Sequence, residues 1–308
     1  MSAGGSTVAG EFDLEAHGHH GELLEGEVPL TVSMRRHFWL LVKGSLLLKI
    51  GLTMVCIMVF LTIFGPIIAP DSTTAATNLI DAAPSWGHLF GTDASGLDVF
   101  SRTIAGPRID VTIALIATLL SVVAGSLVGL LTSFFRGWAG EIVMRVSDTV
   151  QAFPLFVLAV VFVVLAGRSY VNIVIVIMLL NLPIYLRLIR SEVVSLRERT
   201  FVEAARANGD RPLSIALRHV LPNAMTPGFA QAPITMGYAL LIIAGLSFIG
   251  AGVQPPTPEW GAMINSGRND IILGFWWTTV FPGAAMSLTV FGFAVVAEAV
   301  QTVVTRGT

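Results

Sequence analysis

Asp148 and Glu298 are the acids set deepest in apolar sequence, and an acid within a membrane span is suited to relaying a proton or a cation. Glu141, Arg145 and Asp148, however, recur at i, i+4 and i+7, a spacing that pairs them along one helix face. Structural pairing is therefore the expectation for Asp148, and also for Glu298, which lies late in the last span near its cytoplasmic end. Ser247 with His219 is the Ser–His combination open to hydrolysis, but neither a Gly-x-Ser-x-Gly elbow nor a His-Glu-x-x-His pair accompanies it. A Gly-x-x-x-x-Gly-Lys-Ser/Thr phosphate loop is also missing, so ATP binding by that route and enzymatic activity are not expected. His17, His19 and His20 offer nitrogen ligands on Gly-containing sequence without a preorganised geometry, and no metal site is expected. Cys56 is alone, which excludes an intrachain disulfide and a Cys-based metal site.

A transport path needs polar groups on faces turned into a helix bundle. Asn181 and Tyr185 fall in one apolar run, and Gln231 and Tyr238, seven apart and so on one helical face, fall in another. Such residues also serve as glue between helices. Gly125 and Gly129 form a small-xxx-small step that predicts close helix packing. Trp260, Trp276 and Trp277 read as anchors at a membrane boundary, and Pro154 and Pro183 as kinks.

The stretch from Ser195 to Asn223, SLRERTFVEAARANGDRPLSIALRHVLPN, is punctuated more deliberately than a connector needs. Thr200 followed by Glu203 reads as a capping box that starts a helix. Gly209 fits the left-handed position past its end, Asp210 can cap a second helix with Pro212 in its first turn, and Pro222 closes that helix. The expected shape is helix, glycine turn, helix.

The elements that must carry these residues follow from composition. Hydrophobic residues make up 54% and charged residues 12% of the 308 positions, against about 25% charged in soluble domains. An ordinary soluble enzyme and a nucleic-acid binder, which needs a basic stripe, are excluded. Charges are absent from 50–70, 111–135, 149–167, 169–186, 219–258 and 271–297. Each run holds one span of about 20 residues, continuously apolar and therefore helical. Six spans place both ends on one side, which collects 14 of the 18 Lys and Arg residues and is assigned to the cytoplasm. The first span lies behind a polar, acidic stretch and reads as an uncleaved anchor. Residues 1–34 form an acidic tail, with Glu11, Asp13, Glu15, Glu22, Glu25 and Glu27 and no Lys or Arg within the first 30 positions; the tail reads as disordered. Residues 35–108 then hold the first transmembrane helix and an external loop, and 109–308 a five-helix core.

Glu203-Ala204-Ala205, Gly209 after three residues, and Leu221-Pro222 together resemble the EAA motif of ABC importer permeases, with His219 where many members have Ile. His88-Leu89-Phe90-Gly91-Thr92-Asp93 with Gly96, Asp98, Ser101 and Arg102 resembles the loop after the first span in the dipeptide/oligopeptide/nickel permeases. Residues 253–261 and Phe281-Pro282-Gly283 are similar to the segments before and at the last span of that family. The likeness spans about residues 35–305 and is to the second permease subunit; Leu97 in place of Arg and the FGFAVVAEAVQTVV ending of the last span depart from the pattern. The resemblance implies a type I ABC importer permease fold in the prokaryotic inner membrane. It implies coupling helices at about 200–221, with Glu203, Ala204, Ala205, Gly209, Leu221 and Pro222 meeting the ATPase. It also implies a heterodimer with a second permease, two ATPase subunits holding ATP and Mg, and an external substrate-binding protein that delivers short peptides. Asp93, Asp98, Pro256, Glu259 and Trp260 are the positions expected to meet that binding protein. A nickel-chelate or glutathione importer is the alternative within the family, and a stand-alone secondary transporter the alternative outside it. The latter should show internal repeats with broken helices and midplane charges; no convincing repeat is present, and the acids fall near the membrane interface.

Overall fold

The computed structural model describes residues 44–135 and 137–307, so the expectations for the acidic tail and for His17, His19 and His20 lie outside the described residues. The helices are α1 (Leu46–Ile68), α2 (Val99–Ala105), α3 (Pro107–Phe134), α4 (Trp138–Ala152), α5 (Leu155–Ala166) and α6 (Tyr170–Leu196). There follow α7 (Thr200–Ala207), α8 (Pro212–Ile215), a π-helical turn (Ala216–Val220), α9 (Leu221–Ala224), α10 (Thr226–Phe248), α11 (Trp260–Gly267) and α12 (Trp277–Gly307). Five helical segments among the described residues are long and apolar enough to cross a membrane: 46–68, 99–134, 170–196, 226–248 and 277–302.

The third expected span is different. The run 149–167 is not one helix: α4 and α5 meet at 98° across Phe153 and Pro154. Pro154 has no N–H to continue the α4 ladder and caps α5 instead. At 12 residues α5 is about 18 Å long, short of the roughly 30 Å hydrocarbon core. The sixth crossing exists only if this bent pair is counted as one. Pro183, by contrast, lies inside α6 without ending it.

α3 and α6 pack back to back because Gly125 and Gly129 have no Cβ. A Cβ on Gly125 would lie 2.6 Å from Tyr185 Cβ and 2.9 Å from the Leu182 carbonyl oxygen, and one on Gly129 would lie 2.8 Å from the Leu186 carbonyl. Ala114, Ala117, Ile177, Leu180, Leu240 and Ile243 fill the core between α3, α6 and α10. Side chains turned outward are equally apolar, including Ile63 and Ile67 of α1 and Leu119 and Val123 of α3. Such a surface matches lipid, which exerts no drive to bury it.

The ion pairs also correct the sequence expectation. Glu141 and Asp148 do not pair with Arg145 along α4; they reach across to α6, with Glu141 Oε1 3.0 Å from Arg190 and Asp148 Oδ1 2.6 Å from Arg187. The i, i+4, i+7 rule describes an isolated helix and takes no account of a neighbour that carries two arginines.

Candidate functional site

Two sites occupy opposite ends of the bundle. At one end, Leu130 of α3 and Ile189 and Val193 of α6 join Val202, Ala205, Ile215, Ala216, Val220 and Ala224 in a closed apolar cluster. The helix–turn–helix segment is therefore anchored to the spans by its own buried face. α7 begins at Thr200 as expected, but Arg199 is the N-cap and makes no side-chain cap bond, so the capping box is not formed. Gly209 takes φ +83°, the left-handed conformation that glycine adopts without strain. Its N–H bonds to the Arg206 carbonyl and that of Asp210 to the Ala205 carbonyl, which closes α7. Asp210 does not cap α8, since Arg211 holds that place; its carboxylate lies 3.8 Å from His219 Nε2. Pro222 opens α9 rather than closing a helix, and the chain runs with little interruption through the π turn and α9 into α10.

The EAA residues divide between two faces. Val202 and Ala205 are buried, while Glu203, Ala204 and Gly209 are exposed on the outer side. Leu221 is half-buried against the apolar cluster, and Pro222 is exposed. An exposed carboxylate beside an exposed alanine, on a short helix whose buried face joins the cluster with α3 and α6, leaves a small-side-chain face open to close approach.

The four expected path residues do not share a cavity. Asn181 and Tyr185 are buried in the α3–α6–α10 contact, where the Tyr185 hydroxyl donates to Thr235 Oγ1 at 2.8 Å. The Thr235 hydroxyl in turn donates to the Gln231 carbonyl, and the Gln231 side chain is half-buried. Tyr238 alone is well exposed, at 59%, in a groove of about 720 Å³ between α10 and α12 that Pro233, Val290, Glu298 and Gln301 also line. Tyr185 thus bridges α6 to α10, whereas the buried Asn181 Nδ2 has no hydrogen-bond partner. Tyr185→Phe is expected to cost about 0.5–1.5 kcal/mol in thermal unfolding of the detergent-solubilised protein and to leave substrate preference unchanged.

At the other end, the loop from 69 to 98 and the segment from 249 to 276 fold over the spans. His88 Nδ1 lies 2.8 Å from Asp98 Oδ1 and 3.7 Å from Asp71, while Asp98 Oδ2 accepts the Ser101 N–H and so caps α2. The imidazole thereby fastens the loop to the helix. Arg102 is buried and donates to the Thr73 and Pro256 carbonyls, joining the two segments at this end. Asp93 is half-buried and holds its own turn through the Ser95 and Leu97 N–H groups.

Three of the five expected binding-protein contacts are interior. Asp98 is 1%, Glu259 0% and Trp260 1% exposed, so their side chains cannot present a docking surface; Pro256 is exposed. Trp260 is not a boundary anchor either: it packs with Met58, Val99, Met263 and Trp277, and its Nε1–H donates to the Thr103 carbonyl. Trp277 is likewise buried and donates to the Thr92 carbonyl, whereas Trp276 is exposed. Asp110 escaped the sequence reading. It stands at the head of the charge-free run 111–135, and its signal is an acid placed where the chain enters the bundle.

Comparison with known proteins identifies the family. Residues 121–308 match the family described as binding-protein-dependent transport system inner membrane component. A dipeptide transport system permease protein of Alkalihalophilus pseudofirmus is 35% identical over 88% of this chain and 89% of its own. A di/tripeptide transport system permease protein of Pseudomonas aeruginosa is 37% identical over 82% and 85%. A glutathione transport system permease protein of Pectobacterium atrosepticum is 34% identical over 72% and 73%. Among solved structures, an inward facing methionine ABC transporter chain superposes with a TM-score of 0.52 over 67% of this chain and 96% of its own; at 18% identity it shows a shared fold. The chain is a multi-pass inner-membrane protein and belongs to the family of binding-protein-dependent transport system inner membrane components.

Proposed function

We propose that this chain is the membrane-spanning permease subunit of an ATP-driven importer that moves dipeptides or oligopeptides into the cytoplasm. The observation that carries the reading is the α7–Gly209–α8 segment, which exposes Glu203 and Ala204 while its other face is locked into the ends of α3 and α6. The dipeptide and di/tripeptide permeases among its relatives support the substrate class. In this reading the α7–α9 end is cytoplasmic, both termini lie there, and α4 with α5 makes the sixth crossing. A second permease completes the path, with the Tyr238 groove on the side available to it. Two ATPase subunits carry the ATP and Mg, an external binding protein delivers the peptide, and no catalytic step falls to this chain.

ATP-driven closure of the ATPase pair shifts the exposed face of α7, and the buried face passes that shift to the spans. The path alternates because the ATPase pair interacts differently with its two states. The glutathione permease among the relatives keeps a tripeptide thiol as the second substrate reading.

Affinity purification of the chain from its own membranes in mild detergent tests the proposal. Co-purification of ATPase subunits, a second permease and a binding protein is expected, and proteoliposomes of that complex should take up labelled dipeptide only with ATP. A chain that emerges alone and still transports without ATP would establish the secondary-transporter reading instead.

A further inference from the structure

α3 and α11 are joined through two acids. Asp110, in the first turn of α3, is 3% exposed, and Glu259, the N-cap of α11, is fully buried. Glu259 accepts the N–H groups of Gly261 at 2.9 Å and Ala262 at 2.6 Å, and Asp110 Oδ2 accepts the Trp260 N–H at 3.1 Å. The two carboxyl groups are immediate neighbours, and the Ser247 side chain stands beside Glu259. Asp110 Oδ1 is buried and has no donor.

Two carboxylates in contact inside an apolar surround cannot both keep their charge, because each is desolvated and each repels the other. A buried Oδ1 without a donor carries a separate penalty. One proton removes both costs: placed on Asp110 Oδ1, it turns the stranded acceptor into a donor toward Glu259. Glu259 is the better seat for the remaining charge, since two backbone N–H groups of the α11 first turn already point at it.

We propose that Asp110 and Glu259 form a binding site for a single proton, and that this proton clamps α11 onto α3. The surroundings supply no competing counter-charge. Among the described residues no Lys, Arg or His pairs with either carboxyl: α10 brings Ser247, Arg102 of α2 is engaged with the Thr73 and Pro256 carbonyls, and Arg108 of α3 is exposed. Burial pushes the Glu259 carboxyl above its ordinary value, with its hydrogen bonds pulling it back. The clamped pair keeps one proton at pH values where separated and hydrated acids have already lost theirs. Because the clamped form binds more protons, rising pH must weaken it. The clamp is complete below the ordinary carboxylate range and is lost as pH climbs through the value of the buried pair.

Infrared spectroscopy of the purified full-length protein tests this directly. The carbonyl stretch of a buried protonated carboxyl is expected at neutral pH, is expected to fade on alkaline titration, and is expected to vanish in Asp110→Asn, which keeps a donor toward Glu259. Thermal unfolding of the wild type should fall with alkaline pH, and that dependence should flatten in the variant. Should Asp110→Asn fail to fold, the alkaline titration of the wild-type band decides the question by itself. The absence of the wild-type band would overturn the proposal, because ionised acids in structural contact give none; its insensitivity to pH or its survival in Asp110→Asn would overturn it equally, by assigning the band to another carboxyl.

Discussion

Replacement of Gly209 by Val is expected to abolish ATP-driven uptake while the chain remains inserted and folded. Gly209 holds φ +83°, and a Cβ built there would touch nothing within 4 Å. The substitution therefore acts through backbone conformation alone. A left-handed residue other than glycine costs about 1–2 kcal/mol, and a β-branched one stands at the unfavourable end. The chain can relieve that cost by opening the turn, since nothing packs against it, and the exposed face of α7 then no longer has a fixed angle to α8. Global stability should change little, because Val202, Ala205 and Ile215 still bury their side chains. Asn tolerates this conformation, so Gly209→Asn should keep most of the uptake. Glu203→Lys should reproduce the loss by reversing the exposed charge, with no strain at all. Uptake in proteoliposomes, measured with the amount of ATPase retained on the complex, checks all three. Wild-type uptake in both Gly209→Val and Glu203→Lys would refute coupling through this segment.

Gly125→Val is expected to remove the folded protein rather than its activity. The built Cβ meets Tyr185 Cβ at 2.6 Å, the Leu182 carbonyl at 2.9 Å and the Leu186 nitrogen at 3.2 Å. Two of those atoms belong to the α6 backbone, so no rotamer change can make room. Overpacking a tight contact costs about 1–3 kcal/mol when side chains alone must move, and prising apart two long helices should exceed that. Against a total stability on the order of 5–15 kcal/mol, the yield of folded protein in detergent should collapse. Leu119→Ala, on the outward face of the same helix, should stay within about 0.5 kcal/mol of the wild type in thermal unfolding. A Gly125→Val protein that unfolds at the wild-type temperature would show that α3 and α6 do not approach as described.

Both predictions rest on residues that the sequence already singled out, because backbone demands are local. A left-handed turn asks for glycine wherever the rest of the chain goes, and a small-xxx-small step signals close packing without naming the partner. The charge-free runs likewise marked the spans, since the cost of a charge in lipid does not depend on which helices are neighbours.

What sequence could not supply was the partner of each polar group. Asp148 and Glu141 pair with Arg187 and Arg190, residues 39 and 49 positions away, instead of with Arg145 on their own helix. Trp260 and Glu259 carry the composition of an exposed loop but lie in the interior, held by Thr103 and by Asp110, 150 positions distant from Trp260. The run 149–167 is apolar enough for one span, yet Pro154 and the pairing of α4 with α6 split it at 98°.

The sequence by itself determined that this is a helical membrane protein, where most of its spans lie, and which segment forms the exposed helix–glycine–helix with the EAA residues. Hydropathy, glycine and proline act through solvent and backbone, both of which every residue meets locally. Only the tertiary structure decided which polar groups are buried together, which of them remain open to a partner, and that Asp110 and Glu259 must share a site. Those outcomes depend on distances between residues far apart in the chain, which composition and spacing leave undetermined.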